Sequence, residues 1–348
     1  MIMTTTSALA GSFAALVNPE TYLPLAFAGV LGLSILLYVI LDGFDLGVGI
    51  VLPLADDVEK DRMIASIGPF WDANETWLVL AIGIVLVAFP SAHGVILGAL
   101  YLPVSVMLIA LVLRGVAFEF RTKAPSLHKT AWNRVFFAAS LVTALSQGFM
   151  LGLYIMGLDY SLSHVLFALL TAFCVAAGYS FIGAAWLIWK SDDELQQKAI
   201  GWARIGLIGT TAGLIAISVA SPLVSPRIFA RWFSLPQIAL LSPLPVVSAI
   251  LIARIWLSLD RLQTDGTRRS FVPFASATAL FAITFAGLAY SFYPYIVPQR
   301  LTIYEAASAP ESLFLILIGV LVVLPVIIAY TVLSYVVFRG KATELRYD

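Results

Sequence analysis

The chain has 348 residues, 61% of them hydrophobic and only 11% charged, with no net charge at neutral pH. Its mean hydropathy is +0.97. A soluble domain carries about a quarter charged residues, so this composition excludes a soluble globular protein and makes lipid the main solvent.

The N-terminus lacks the basic region of a secretory signal, so no cleaved leader is expected. Apolar runs broken by polar, Pro-rich or charged clusters then predict nine spanning helices, over about 22–54, 75–90, 95–119, 131–158, 163–189, 199–220, 238–259, 271–297 and 312–338. The second is short, so it is expected to begin back near Trp71, with Asp72 or Asn74 near its cap. The fold class is all-α integral membrane, with about nine transmembrane helices. The single cysteine, Cys174, lies in an apolar run and is expected to act as a small buried hydrophobe.

Charge predicts the orientation. Loops on the side of the N-terminus contain only Arg227, Arg231 and Arg300. The opposite side collects fourteen Lys and Arg, among them Lys60, Arg121, Lys129, Lys190, Lys198, Arg268, Lys341 and Arg346. The positive-inside rule makes that side cytoplasmic, with the N-terminus outside and the C-terminus inside.

A weak internal repeat runs at an offset of 136 residues. It sets the acidic loop after the first span, 55–59, against 191–195, and Gly47 against Gly183. Asp42 and Asp45 fall against Gly178 and Phe181. The expectation is two four-helix bundles plus one peripheral helix: 1–160 with the acidic residues, 161–297 as the second unit, and 298–348 as the ninth helix and tail.

The chemistry-bearing residues are acids in or beside apolar spans. Asp42 and Asp45, three apart, share a face in the inner half of the first helix. Asp72 and Glu75, also three apart, open the second. Glu119 sits at the inner end of the third, with Arg114 slightly deeper, so all six groups are expected at similar depth. Ionisable groups in a membrane segment are costly and usually serve an ion or proton path. In the competing structural reading the acids cap helix ends, pair with Arg114 and loop bases, and hold the bundle together. Gly43, Gly47 and Gly49 let another helix approach and add packing only.

Haem in a membrane bundle needs His or Met ligands within the spans. His93 and His164 fall in or beside connections on the N-terminal side and His128 in a loop on the other side, while Met107, Met150 and Met156 read as core filler. No metal-ligand or phosphate-cradling motif is present, so no haem or metal is expected on this chain.

The residues resemble subunit II of the cytochrome bd-type quinol oxidases, including the cyanide-insensitive branch. The resemblance rests on Asp42-Gly43-Phe44-Asp45-Leu46-Gly47-Val48-Gly49 and Trp71-Asp72-Ala73-Asn74-Glu75-Thr76-Trp77. It continues in the stretches 99–103, 114–121, 293–298 and 306–313, whereas 131–260 matches mainly in hydropathy. It implies a haem-free subunit in a bacterial inner-membrane heterodimer. A subunit I would carry haem b and haem d, oxidise quinol near the outer face and reduce oxygen to water. The second subunit would stabilise the first and deliver cytoplasmic protons. The family's proton-path positions fall on Asp72, Asp42 and Asp45, its route-associated tryptophan on Trp77, and an acid sometimes written Asp on Glu119. Glu75 stands where some members have Gln; it and Arg114 would tune the path. The partners implied are subunit I and the lipid bilayer, with no nucleic acid. The quinone type, a structural quinone on this chain and a small accessory membrane subunit stay open. Two other classes compete: a purely structural or assembly subunit, and a stand-alone proton-coupled transporter. The transporter class usually places polar, broken helices near the midplane of both halves, whereas these charges sit at one end of one half.

Overall fold

A computed structural model describes residues 18–123, 125–235, 237–265 and 269–342. Two of the cations counted for orientation, Arg268 and Arg346, and both chain ends lie outside the described residues.

Nine helices among the described residues are long and apolar enough to cross a membrane. The first, α1 (Pro19–Val51), starts with Pro19 in its first turn and Asn18 as its cap; the Asn18 side chain accepts the Glu20 N–H at 3.1 Å. Pro53 ends it in a single tight turn over Leu52–Leu54. A short helix α2 (Asp57–Ile67) follows, opened by a capping box in which Asp56 and Glu59 each take the other's N–H. The second span is α3 (Trp71–Ala88) and the third α4 (Pro90–Lys123), joined by Phe89 alone. Then come α5 (Ser126–Ile155), α6 (Leu162–Lys190) and α7 (Asp193–Val224). Short helices α8 (Pro226–Phe233) and α9 (Gln237–Leu241) lead into α10 (Pro243–Asp265) and α11 (Val272–Phe292). A small antiparallel hairpin, β1 (Tyr295–Val297) with β2 (Leu301–Thr302), and one turn of helix, α12 (Ile303–Ala306), precede α13 (Pro310–Val337).

Three expected boundaries shift for backbone reasons. The run 271–297 stops being helical at Phe292, because Pro294 cannot continue the ladder, and 295–297 pairs as a strand instead. The run 131–158 ends at Ile155, just before Gly157 takes a φ of +86°. The second span begins at Trp71, but neither Asp72 nor Asn74 caps it: the cap position is Phe70, with no side-chain cap bond, because Asn74 is already inside the helix.

At the centre of the bundle, α1 packs on α3, α5 and α6, and α6 also contacts α5 and α7. Residues 42–49 of α1 are buried on every side. One core cluster there is aromatic: Phe44 stacks on Trp186 at 4.2 Å between ring centroids, and Phe70, Trp189, Phe274 and Tyr335 close around Trp186. Large aromatic groups dominate such cores, and this one ties α1 and α6 to α11 and α13. The last helix is peripheral; only Leu313 and Ser334 of α13 are buried. Cys174 is half-buried rather than enclosed, on a side of α6 where neighbouring Phe173 is exposed.

Candidate functional site

The buried end of α1 carries the acids. Asp42 and Asp45 stand about 60° apart around the helix, and both are essentially inaccessible, at 0% and 1%. Arg114 comes in from α4, also 2% exposed, and its Nη1 donates to Asp42 Oδ1 at 2.6 Å. Its Nη2 lies 3.8 Å from Glu75 on α3. Asn74, next to Glu75 but turned inward, donates through Nδ2 to Asp45 Oδ2 at 2.8 Å and to the Leu41 carbonyl at 3.3 Å. The Asn74 carbonyl oxygen accepts from the Tyr335 hydroxyl of α13 at 3.1 Å. Asn74 therefore bridges three helices.

The structure thus joins Asp42, Asp45, Glu75 and Arg114 into one constellation. Exposure is graded across it: Asp72 is exposed, the Glu75 side chain is 29% exposed, and Asp42 and Arg114 are buried. Asp72 has no ion-pair partner among the described residues. Two carboxyl groups, Asp42 and Glu75, face the one guanidinium, and Asp45 is held by Asn74 beside them.

Glu119 is not part of this group. It is exposed and its nearest cation is Lys123 at 3.8 Å. Five residues after Arg114, it lies about 140° around α4 from it, on the outward face. Trp77 is only 1% exposed. It shares the buried stripe of α3 with Asn74, one turn deeper, which is not the position of a surface anchor.

Sequence reasoning missed a second polar chain beside Asp42. Gln147 of α5 donates to the Tyr38 hydroxyl at 2.6 Å and accepts from the Tyr179 hydroxyl of α6 at 2.7 Å. Tyr38 lies four residues before Asp42 on the same face; that spacing was the available signal. A buried lysine was missed as well. Lys190 Nζ donates to the Phe338 and Gly340 carbonyls at 2.6 and 3.0 Å, with the rings of Phe70, Trp186 and Trp189 just over 5 Å away. It ties the chain after α13 across the end of α6.

The same end of the bundle holds the ion pairs of the connections: Arg121 with Asp61 at 2.6 Å, Lys198 with Glu59 at 2.8 Å and Lys341 with Asp192 at 3.0 Å. His93 is in the first turn of α4, His128 near the start of α5 and His164 in the first turn of α6, so no histidine stands mid-span to ligate iron. No group of three or more metal-type ligands occurs among the described residues.

Comparison with known proteins gives a consistent result. A cytochrome bd ubiquinol oxidase subunit 2 of Bacillus subtilis strain 168 is 27% identical over 87% of this chain and 92% of its own length. The cytochrome bd-I ubiquinol oxidase subunit 2 of Escherichia coli K12 is 26% identical over 90% of this chain and 94% of its own. The solved bd oxidase of Geobacillus thermodenitrificans contains a chain of the same fold, with a TM-score of 0.71 at 19% identity, covering 92% of this chain and all of that one. The family model described as cytochrome bd terminal oxidase subunit II matches residues 23–338. This multi-pass membrane chain belongs to that family of respiratory oxidase subunits.

Proposed function

We propose that this chain is the haem-free second subunit of a quinol:oxygen oxidoreductase, and that it conducts cytoplasmic protons toward the oxygen-reducing site of a haem-bearing subunit I while stabilising that partner. Quinol oxidation and oxygen reduction, on haem b and haem d, belong to the partner; this chain contributes positioned side chains. Asp72 is the entry group and Asp42 and Asp45 are the relay, with Glu75 and Arg114 tuning the path. Arg114 keeps Asp42 oriented, and Asn74 does the same for Asp45. Glu119 stands beside the entry side rather than in the relay, and Trp77 lies on the buried α3 stripe one turn beyond Asn74. The carrying observation is the graded burial from exposed Asp72 through Glu75 to the enclosed Asp42–Arg114 pair. The charge bias of the loops supports a cytoplasmic position for this end, with the N-terminus outside. A proton drawn inward from that side crosses part of the membrane potential, worth about 2.3 kcal/mol per charge per 100 mV.

The same proposal takes 1–160 and 161–297 as two related four-helix units, with 298–348 as the ninth helix and tail. It is supported by Asp56 and Asp192, 136 apart, which both occupy helix N-caps.

One observation favours a second reading. Asp42 is tightly ion-paired, as an acid used only for packing would be. Asp72→Asn and Asp42→Asn separate the two. Normal haem content with lost turnover supports the relay, and lost haem content supports an assembly role. Turnover unchanged in both would remove the relay.

A further inference from the structure

At the end of the bundle opposite the acidic cluster, a cavity of about 630 Å³ opens between the α5–α6 connection, the start of α8 and the hairpin before α13. Its size is that of a small-ligand site, commonly ~300–1,000 Å³. Arg227, Arg300, His164, Ser225, Gln299 and Asp159 line it.

The charge placement is unusual for this chain. Only three cations sit in the connections at this end, Arg227, Arg231 and Arg300. Two of them line the cavity, and the third lies one helical turn from Arg227 on α8. Arg227 is poorly satisfied by protein. Its Nη1 reaches the Ser291 carbonyl only at 3.5 Å, and its Nε and Nη2 are buried without a hydrogen-bond partner. Its guanidinium rests near the rings of Phe292 and Tyr295, which hold it in place but neutralise nothing. Ser225 is 6% exposed, caps no amide of α8, and its Oγ has no partner. Arg300 makes no side-chain hydrogen bond or ion pair among the described residues. The one acid present, Asp159, is 3.3 Å from His164 Nδ1, and its side chain is 61% exposed. The walls therefore offer two guanidinium groups and a hydroxyl to an anion.

The surroundings are apolar. Leu162, Leu223 and Phe229, each close in sequence to a lining residue, are exposed, and Phe229 stacks on exposed Phe233 at 5.0 Å. On α8, Trp232 turns inward and donates to Ser291 Oγ at 2.8 Å. This short helix carries exposed aromatic groups and turns Arg227 to a polar cavity, the disposition of an interfacial helix.

We propose that this cavity binds the phosphodiester headgroup of an anionic phospholipid, with Arg227 and Arg300 as its charge contacts, Ser225 Oγ as a hydrogen-bond donor, and the acyl chains lying over Leu162, Leu223 and Phe229. Guanidinium groups match phosphate oxygens in geometry and charge. The lipid fastens the α5–α6 connection to α8 and the hairpin. Assignment to the outer leaflet rests on the orientation proposed above; the binding itself does not.

The test uses the whole oxidase complex, stripped of lipid in a non-ionic detergent and titrated with phosphatidylglycerol, phosphatidylcholine or inorganic phosphate. Native mass spectrometry counts retained molecules. The expected result is one phosphatidylglycerol held in preference to phosphatidylcholine. Its apparent affinity should fall roughly five-fold for each arginine changed to glutamine and largely return in Arg227→Lys with Arg300→Lys. Equal retention by wild type and Arg227→Gln/Arg300→Gln overturns the proposal, as does equal retention of the two lipids. Inorganic phosphate that binds stoichiometrically and displaces the lipid headgroup identifies a soluble anion as the ligand and overturns the lipid assignment. If the double variant fails to retain its haem spectrum, the exposed Arg300→Gln alone carries the test: a five-fold loss supports the site and no change refutes it.

Discussion

The crossing of α1 and α6 should be the least forgiving point in the bundle. A Cβ added at Gly47 would stand 1.8 Å from the Tyr179 carbonyl oxygen, 2.6 Å from its carbonyl carbon and 3.0 Å from Gly183 Cα. Ordinary contact begins at 3.4 Å, so Gly47→Ala requires the helices to part by 3.4 − 1.8, or 1.6 Å. The obstacle is backbone and cannot swing aside. Overpacking costs about 1–3 kcal/mol, and a rigid backbone clash belongs at the upper end. Alanine returns about 0.8–1 kcal/mol of helix propensity, leaving a net loss of about 2 kcal/mol. The displacement also strains the Phe44–Trp186 stack, which joins the same two helices. Gly29→Ala is the control, since a Cβ there meets nothing within 4 Å. Thermal melting of the purified complex, followed by loss of haem absorbance, should place Gly47→Ala well below wild type and Gly29→Ala at or above it. Gly47→Ala melting with Gly29→Ala would refute the close-packing argument.

Other substitutions test the polar interior and the caps. Arg114→Met leaves Asp42 buried without its partner, a loss of about 3–5 kcal/mol; adding Asp42→Asn should recover part of it, and simple additivity in the double-mutant cycle would contradict the pairing. Asn74→Leu strands Asp45 Oδ2 and the Tyr335 hydroxyl, costing about 1–2 kcal/mol, read as reduced complex yield in membranes. At the hairpin, the Thr302 N–H and hydroxyl hold the Glu305 carboxyl below the usual carboxylate range. The stability it adds is present above the unfolded glutamate pKa of about 4.3 and is lost as pH falls through the lower folded value. Amide protection factors at 302–306, corrected for intrinsic exchange, should therefore fall in acid in wild type and show no such step in Glu305→Gln.

Apolar run length made the fold legible, because every spanning helix needs a long stretch of lipid-compatible residues whatever its neighbours. The boundaries were less so. Residues 295–297 are apolar enough to continue a span, and only Pro294 and the pairing with Leu301–Thr302 decide otherwise. Within the site, Asp42, Asp45, Glu75 and Arg114 were visible because charge in an apolar run is conspicuous. Their partners were not: Asn74 and Gln147 are ordinary polar residues in sequence and acquire meaning only when α1, α3 and α5 come together. Glu119 shows the converse error. Angle around α4 decides contact, and a count of residues from the helix end does not supply that angle.

On the proposed repeat, the contact between α1 and α6 bears on why the acids stand in the first unit alone. Gly43 faces the Tyr179 ring and Gly47 meets Gly183, pairs of positions that both differ by 136 in sequence. Two contacts between proposed equivalent positions, one turn apart on the first and fifth spans, are what the proposed repeat would place beside a two-fold axis along the helices. Near such an axis, equivalent residues crowd one another. A carboxylate at 178 would meet the Phe281 ring and one at 181 would lie in apolar packing, each without a counterion. Glycine and phenylalanine stand in the second copy instead. Gly178 admits the Phe281 ring, and Phe181 is fully buried in apolar packing. The second helix thereby supplies close approach and an apolar wall, the first supplies the titratable groups, and Asp42 keeps a counterion of its own.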